Sequence, residues 1–263
     1  MASAPLRIVT LNTWKNDGDY PARVRAMAAG LHALRPDIVL LQEVFRTDDG
    51  DADTGRTLAA ALQLALVYAP ARRKLRRWRG QPAPSEAGLA VLARGTIRGH
   101  ERRALPSDER GGERIALYAD VQAAAGTTVF VCCTHLSHLR GDGARRREQL
   151  DLILRHPGWR APGGLRVLGG DFNATADQPE LGWLGDHPEL DVRNVFGAAP
   201  QAATHPLPPP ADRPGRCIDF LFTVTARGAV APTIAQAATA LDAPVDGFWP
   251  SDHAAVVAEV AAG

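Results

Sequence analysis

The chain has 263 residues, 45% of them hydrophobic and 22% charged, with a formal net charge of +1 at neutral pH. Such a chain can bury a substantial core, and its near-neutral balance excludes a uniformly basic surface of the kind that wraps nucleic acid, while leaving room for a local basic patch. No stretch approaches the roughly 18 apolar residues that a membrane helix needs. The three cysteines, Cys132, Cys133 and Cys217, form no disulfide framework. Reduced core thiols and an N-terminal stretch without signal-peptide character predict a cytoplasmic protein, and the length predicts one monomeric domain over residues 1–263.

In chain order, residues 7–12 predict a first strand with Asn12 at its exit. Residues 20–34 follow with Val24, Met27, Ala28, Leu31 and Leu34 at helical spacing, and Pro36 stops that helix. A second strand over 38–41, with Val44 beyond, leaves Gln42 and Glu43 at its exit, and both cannot enter a core without partners. Residues 45–53 read as a loop, and 54–64 as a helix that Thr54 caps. After a short strand at 66–68, the segment ARRKLRRWRGQPAPSEAG is basic, proline-rich and exposed.

Strands are predicted over 88–93, 115–121 and 127–134, with His135 after the last, then a helix over 143–155. The stretch LRVLGGDFNATAD is a buried strand ending in Gly169 and Gly170, whose missing side chains permit unusual torsions and close approaches. Asp171 and Asn173 emerge from it together, either as an Asx turn or as a carboxylate and an amide offered to one ligand. Residues 178–194 read as irregular with a short helix, 204–216 as a proline-rich loop, and 218–224 and 254–260 as the last strands. Asp252 and His253 stand at a strand entrance rather than an exit, so the last strand must run antiparallel to its neighbours to bring them to the same rim.

Polar residues at the ends of five strands, in the contexts LNTW, LLQEV, CTHL, GGDFNAT and WPSDH, resemble the endonuclease/exonuclease/phosphatase superfamily of metal-dependent phosphoesterases, which includes pancreatic-type deoxyribonuclease, abasic-site endonucleases and neutral sphingomyelinases. The resemblance runs from residue 6 to residue 260. It implies an α/β four-layer sandwich of two mixed, mainly antiparallel sheets packed face to face with helices outside, which agrees with a pattern of short-turned strands and few helices.

The chemistry it implies is hydrolysis of a phosphoester, most simply a phosphodiester, with a nuclease or a sphingomyelinase-like headgroup hydrolase as the alternatives. A catalytically inactive binding protein is disfavoured because every reactive group is present. Glu43 suits the main ligand of Mg²⁺, or of Mn²⁺, with Asn12 and Asp252 completing the shell. The resemblance assigns Glu86 to orient His135, and Asp219 to orient His253. By the same analogy Asp171 with Asn173 positions or deprotonates the attacking water; Asp171 and His253 both qualify as general base. Trp14 replaces a second acid or amide found in many nucleases, which argues against a second metal, and Cys217 stands where an Arg is frequent. Neither zinc through His135 and His138 nor a Ser251 nucleophile is expected, since the supporting residues are missing.

The basic run has three readings. Arg72, Arg73, Arg76 and Arg77 with Trp78 can track nucleic acid, or can lie on an anionic membrane with Leu75, or can form a solvated face beside a small substrate. The last is the expected one.

Overall fold

In the computed structural model, which describes residues 4–124, 126–197, 199, 201–208 and 214–263, the elements run β1 (Leu6–Asn12), α1 (Tyr20–Leu34), β2 (Ile38–Thr47), α2 (Thr54–Leu62), β3 (Ala65–Trp78), β4 (Gln81–Ala93), β5 (Gly95–Leu105), β6 (Arg114–Ala123) and β7 (Thr128–His135). They continue with α3 (Gly143–Leu154), a 3-10 turn (Pro157–Arg160), β8 (Leu165–Asp171), α4 (Pro179–Gly185), β9 (Leu190–Asn194), β10 (Asp219–Ala226), β11 (Thr233–Ala240) and β12 (Ala255–Ala261). Two six-stranded sheets result, ordered β11-β12-β1-β2-β4-β3 and β5-β6-β7-β8-β10-β9. Among the described residues, only β1 with β2 and β7 with β8 pair in parallel; the other strand pairs are antiparallel.

Strand alternation sorts the apolar residues into layers. Ile8, Leu40, Val91 and Val256 of the first sheet meet Leu117, Val131, Val167 and Leu221 of the second in the central core. The opposite face of the first sheet, with Val9, Leu11, Val39 and Leu41, packs on Met27 and Leu31 of α1 and Leu58 of α2. Behind the second sheet, Cys132, Leu168 and Phe220 pack on Leu150 and Ile153 of α3, Leu184 of α4 and Trp159. This is the expected four-layer α/β sandwich. Cys132 and Cys133 are buried and unpaired, as reduced core thiols would be.

The basic, proline-rich segment is not an irregular loop. β3 and β4 form a long hairpin that turns on Arg79 and Gly80, both at positive φ (46° and 80°), the geometry a two-residue hairpin turn requires. Pro82 and Pro84 are tolerated because the pairing of β4 with β2 ends at Ser85, so no neighbour on that edge needs their N–H. Asp53, not Thr54, caps α2, accepting from Arg56 N at 2.8 Å. β5, β9 and β11, absent from the sequence expectation, are all sheet edges. Of the loop expected over 204–216, residues 209–213 lie outside the described residues, while 204–207 run as a ribbon: His205 and Arg216 exchange backbone hydrogen bonds at 3.0 and 2.7 Å, and Ala254 N donates to Thr204 O at 2.8 Å.

Candidate active site

The central strands end in a row of polar residues. On the inner face of the second sheet, His135 stands beside Asp171 in the parallel β7–β8 register, and Asp171 faces Asp219 across the antiparallel β8–β10 register. The first sheet contributes Asn12, at the exit of β1 and two-residue steps beyond inward-facing Ile8. β12 runs antiparallel to β1, as the site demands, so the segment carrying Asp252 and His253 enters at the same rim.

Two glycines set the depth of this row. A Cβ on Gly169 would stand 2.5 Å from Leu221 Cδ2 and 2.8 Å from Leu40 Cδ1, so its absence lets the sheets close beneath Asp171. Gly170 has φ +148° and a Cβ there would lie 2.0 Å from Thr134 O, which only glycine accommodates. Glu43 arrives by a different device. Alternation would put it on the helix-covered face, but it sits in a β-bulge between Leu41 and Val44 with φ 56°, which turns its carboxylate into the cavity. Gln42 is instead a core residue, donating to Thr10 Oγ1 at 3.0 Å and to Leu40 O at 3.1 Å.

Asp171, buried, divides its two oxygens. Oδ1 accepts from Asn173 N at 2.8 Å, the Asx turn anticipated from the sequence. Oδ2 accepts from Asn12 Nδ2 at 3.1 Å and faces His135 Nε2 at 3.4 Å and His253 Nε2 at 3.9 Å. His253 Nδ1 lies 2.9 Å from Asp219 Oδ2. Asn173 Nδ2 ties the turn to Leu136 O at 3.1 Å.

Burial raises the Asp171 carboxyl to about 6; the neighbouring Asp219 charge adds to this, while His253 and the hydrogen bonds from Asn173 and Asn12 oppose it. Burial also works against a charge on His253, but the charge and hydrogen bond of Asp219, then Asp171 and Asp252, outweigh it and lift the imidazole to about 10. His135 goes the other way: burial, with Arg114 and Lys15 nearby, pushes it well below its usual value. Its contact with Asp171 therefore involves a neutral ring. At neutral pH the cavity floor pairs an ionisable carboxylate with an imidazolium.

A cavity of about 450 Å³ opens over this floor, and Asn12, Glu43, His135, Asp171, Asn173, Asp252 and His253 all reach it. Glu43, Asn12 and Asp252 offer the oxygen donors a hard cation prefers. Lys15 Nζ lies 2.8 Å from Glu43 Oε2, so a positive charge already sits against that carboxylate. The donor set thus fits a small divalent cation. Two further clusters, His205 with Asp252 and His253, and Asp171 with Asp219 and His253, hold potential ligand atoms within 4.8 Å of one another; among the described residues, no such cluster includes His138.

Glu86 does not orient His135. It lies on the face of β4 away from Ala87 and Leu89, where Arg46 meets it at 3.0 Å and Arg73 at 3.7 Å. Four residues that the sequence reading passed over belong to the site. Thr204 Oγ1 donates to Asp219 Oδ2 at 2.6 Å. The His205 ring lies 4.3 Å from that of His253, with Nε2 3.6 Å from Asp252 Oδ2. Arg114 Nη2 lies 2.6 Å from His138 Nδ1. Lys15 is the fourth; its loop is held by Arg23, which donates to the carbonyls of Trp14 and Lys15 at 3.0 Å each. Thr204 and His205 were hidden in a stretch that composition marks only as loop.

A model of the Endonuclease/Exonuclease/phosphatase family matches residues 9–253. None of the curated proteins compared with the chain matches it. Among solved structures, an endonuclease/exonuclease/phosphatase from Beutenbergia cavernae is similar over 99% of this chain and 72% of its own, with 27% identity and a TM-score of 0.74. TDP2 from D. rerio, solved with a single strand DNA product, matches over 97% and 98% of the two chains at 19% identity and a TM-score of 0.73. The human Nocturnin catalytic domain with a bound sulfate anion matches over 99% and 94% at 18% identity and a TM-score of 0.72.

Proposed function

The chain belongs to the endonuclease/exonuclease/phosphatase family, and on that premise we propose that it is a Mg²⁺-dependent hydrolase that cleaves a phosphodiester by in-line attack of water. The observation that carries the reading is the division of labour around Asp171: one buried carboxyl raised to about 6 stands 3.9 Å from an imidazole raised to about 10. Both groups are raised, but their values fall on either side of neutral pH, so a base and a cation stand at one place.

Asp171 takes the proton of the attacking water, and Asn12 and Asn173 hold its carboxylate in one orientation. His253, kept protonated by Asp219, donates to a non-bridging phosphate oxygen as charge develops there. Glu43, Asn12 and Asp252 would hold the divalent cation, which would supply positive charge against the phosphate and the leaving group. The Nocturnin structure with sulfate and the TDP2 structure with a DNA product support phosphate chemistry on this fold.

Hydrolysis of bis(4-nitrophenyl) phosphate with and without Mg²⁺ tests the reading. Mg²⁺-dependent turnover that is lost in His253→Ala by about a hundredfold or more is expected; turnover indifferent to both would overturn it.

A further inference from the structure

Strand alternation splits the basic run of β3 into two faces with opposite electrostatic fates. On the outer face Arg73 pairs with Asp48 and, at 3.7 Å, with Glu86. At the turn, Arg79 pairs with Asp51 at 3.1 Å, and Trp78 Nε1 donates to the same carboxylate at 2.6 Å. The inner face carries Arg72, Lys74 and Arg76, and all three line the wall of the cavity whose floor is Asp171 and His253. Among the described residues, no carboxylate oxygen lies within 4.0 Å of the cationic nitrogens of these three side chains.

Their placement is built. Arg76 is buried and donates to Ser85 Oγ at 3.1 Å, while its Nε has no partner among the described residues. Arg72 packs against the backbone of Gly112, where a Cβ would fall 2.6 Å from its Nη1. Burial, followed by the charges of Arg76, Arg72 and Lys15, holds the Lys74 ammonium below its ordinary value. Like charges gathered on one wall repel one another; Glu43 and Asp17 offset part of that cost from a distance, and a bound anion would offset more. The phosphodiester proposed above brings a single negative charge, and at the floor it already meets His253. The wall is left over.

Building on the phosphoesterase reading, we propose that Arg72, Lys74 and Arg76 form a second anion subsite, and that the substrate is a small phosphodiester bearing a further phosphate group, which this wall grips while the scissile phosphate lies at Asp171. The size of the cavity, about 450 Å³, falls within the range of small-molecule sites. Trp78 lies outside this cavity, its half-buried ring packing at 5.1 Å from Tyr20 and 5.7 Å from Phe45.

The test compares thymidine 5′-(4-nitrophenyl phosphate) with its 3′-phosphorylated form, which differ only in the distal phosphate. The wild-type protein should favour the 3′-phosphorylated substrate in kcat/KM by at least about tenfold, mainly through KM, on the scale of one charge-assisted hydrogen bond. In the double variant Arg72→Ala/Lys74→Ala, two exposed positions, that preference should fall close to one. A wild-type ratio near one, or a ratio unchanged in the variant, overturns the subsite. So does a single-stranded oligothymidylate whose affinity drops steeply with salt in the wild type and much less in the variant, since that marks a polymer track. If neither nitrophenyl substrate is turned over, the phosphoesterase reading fails separately. Calorimetry with thymidine 3′,5′-bisphosphate then decides the subsite: binding at least about tenfold weaker in the variant supports it, and equal binding overturns it.

Discussion

Asp171 and Asp219 are direct partners across one antiparallel rung, 48 positions apart in the chain, with both carboxylates on the inner face of the sheet. His253 enters from the other sheet and contacts both, at 3.9 and 2.9 Å. Two buried acids placed so closely repel, and the imidazolium is what reconciles them.

Neutralising Asp219 should therefore move both limbs of the pH profile. On the proposed reading, wild-type kcat/KM should rise as the Asp171 carboxyl ionises near 6 and fall as His253 loses its proton near 10, apparent values that belong to the pair. Asp219 raises both groups, so Asp219→Asn shifts both limbs to lower pH. Initial rates across the two limbs provide the measurement, and limbs that stay in place would refute the coupling. The same logic governs stability: a His253 raised in the folded state contributes most below its unfolded value and loses that contribution as pH climbs toward 10.

Thr204 acts one step further out. Its hydroxyl donates to Asp219 Oδ2 and accepts from Ile218 N at 3.1 Å, while among the described residues Asp219 Oδ1 has no hydrogen-bond partner. Thr204→Val keeps the shape and removes the donor, so thermal unfolding should report a loss of about 1–3 kcal/mol. The alkaline limb should move with it, and Thr204→Ser should restore both. A valine variant with an unshifted alkaline limb would reduce Thr204 to packing.

For the cation, Glu43→Gln keeps the bulge and loses the charge. Calorimetric titration should show Mg²⁺ affinity reduced by at least about tenfold, with unfolding temperature little changed. Unaltered Mg²⁺ binding would remove Glu43 from the ligand set.

Glu86→Gln should leave kcat within about twofold of wild type, because Glu86 serves Arg46 and Arg73 rather than His135. A loss of a hundredfold would reinstate it as a catalytic partner.

What the sequence disclosed, and what it hid, divides along the sheets. The central strands β1, β2, β7, β8, β10 and β12 are apolar enough on both faces to be read directly, and the site stands on their ends. β5, β9 and β11 are edges. In β5 the residues Arg98, His100, Glu101, Arg102 and Arg103 replace the apolar alternation, since an edge with one solvated side does not need it. The error over Glu86 has a similar origin. Motif spacing counts residues along the chain, whereas the face on which Glu86 emerges depends on how β4 pairs with β2 beyond the Glu43 bulge, which is a long-range fact. His205 and Thr204 carry no motif at all; they reach the site because 204–207 is pinned between Arg216 and the segment at 252–254.

The closure of the sandwich at Gly169 ties the site to the packing of the core. Asn12 and Glu43 ride on one sheet, His135, Asp171 and Asp219 on the other, and the hydrogen bond from Asn12 to Asp171 spans the gap. On the phosphoesterase reading, turnover would be a gauge of inter-sheet spacing. An enlarged side chain in the shared core, such as Val167→Leu, should wedge the sheets apart and abolish hydrolysis while the fold still stands.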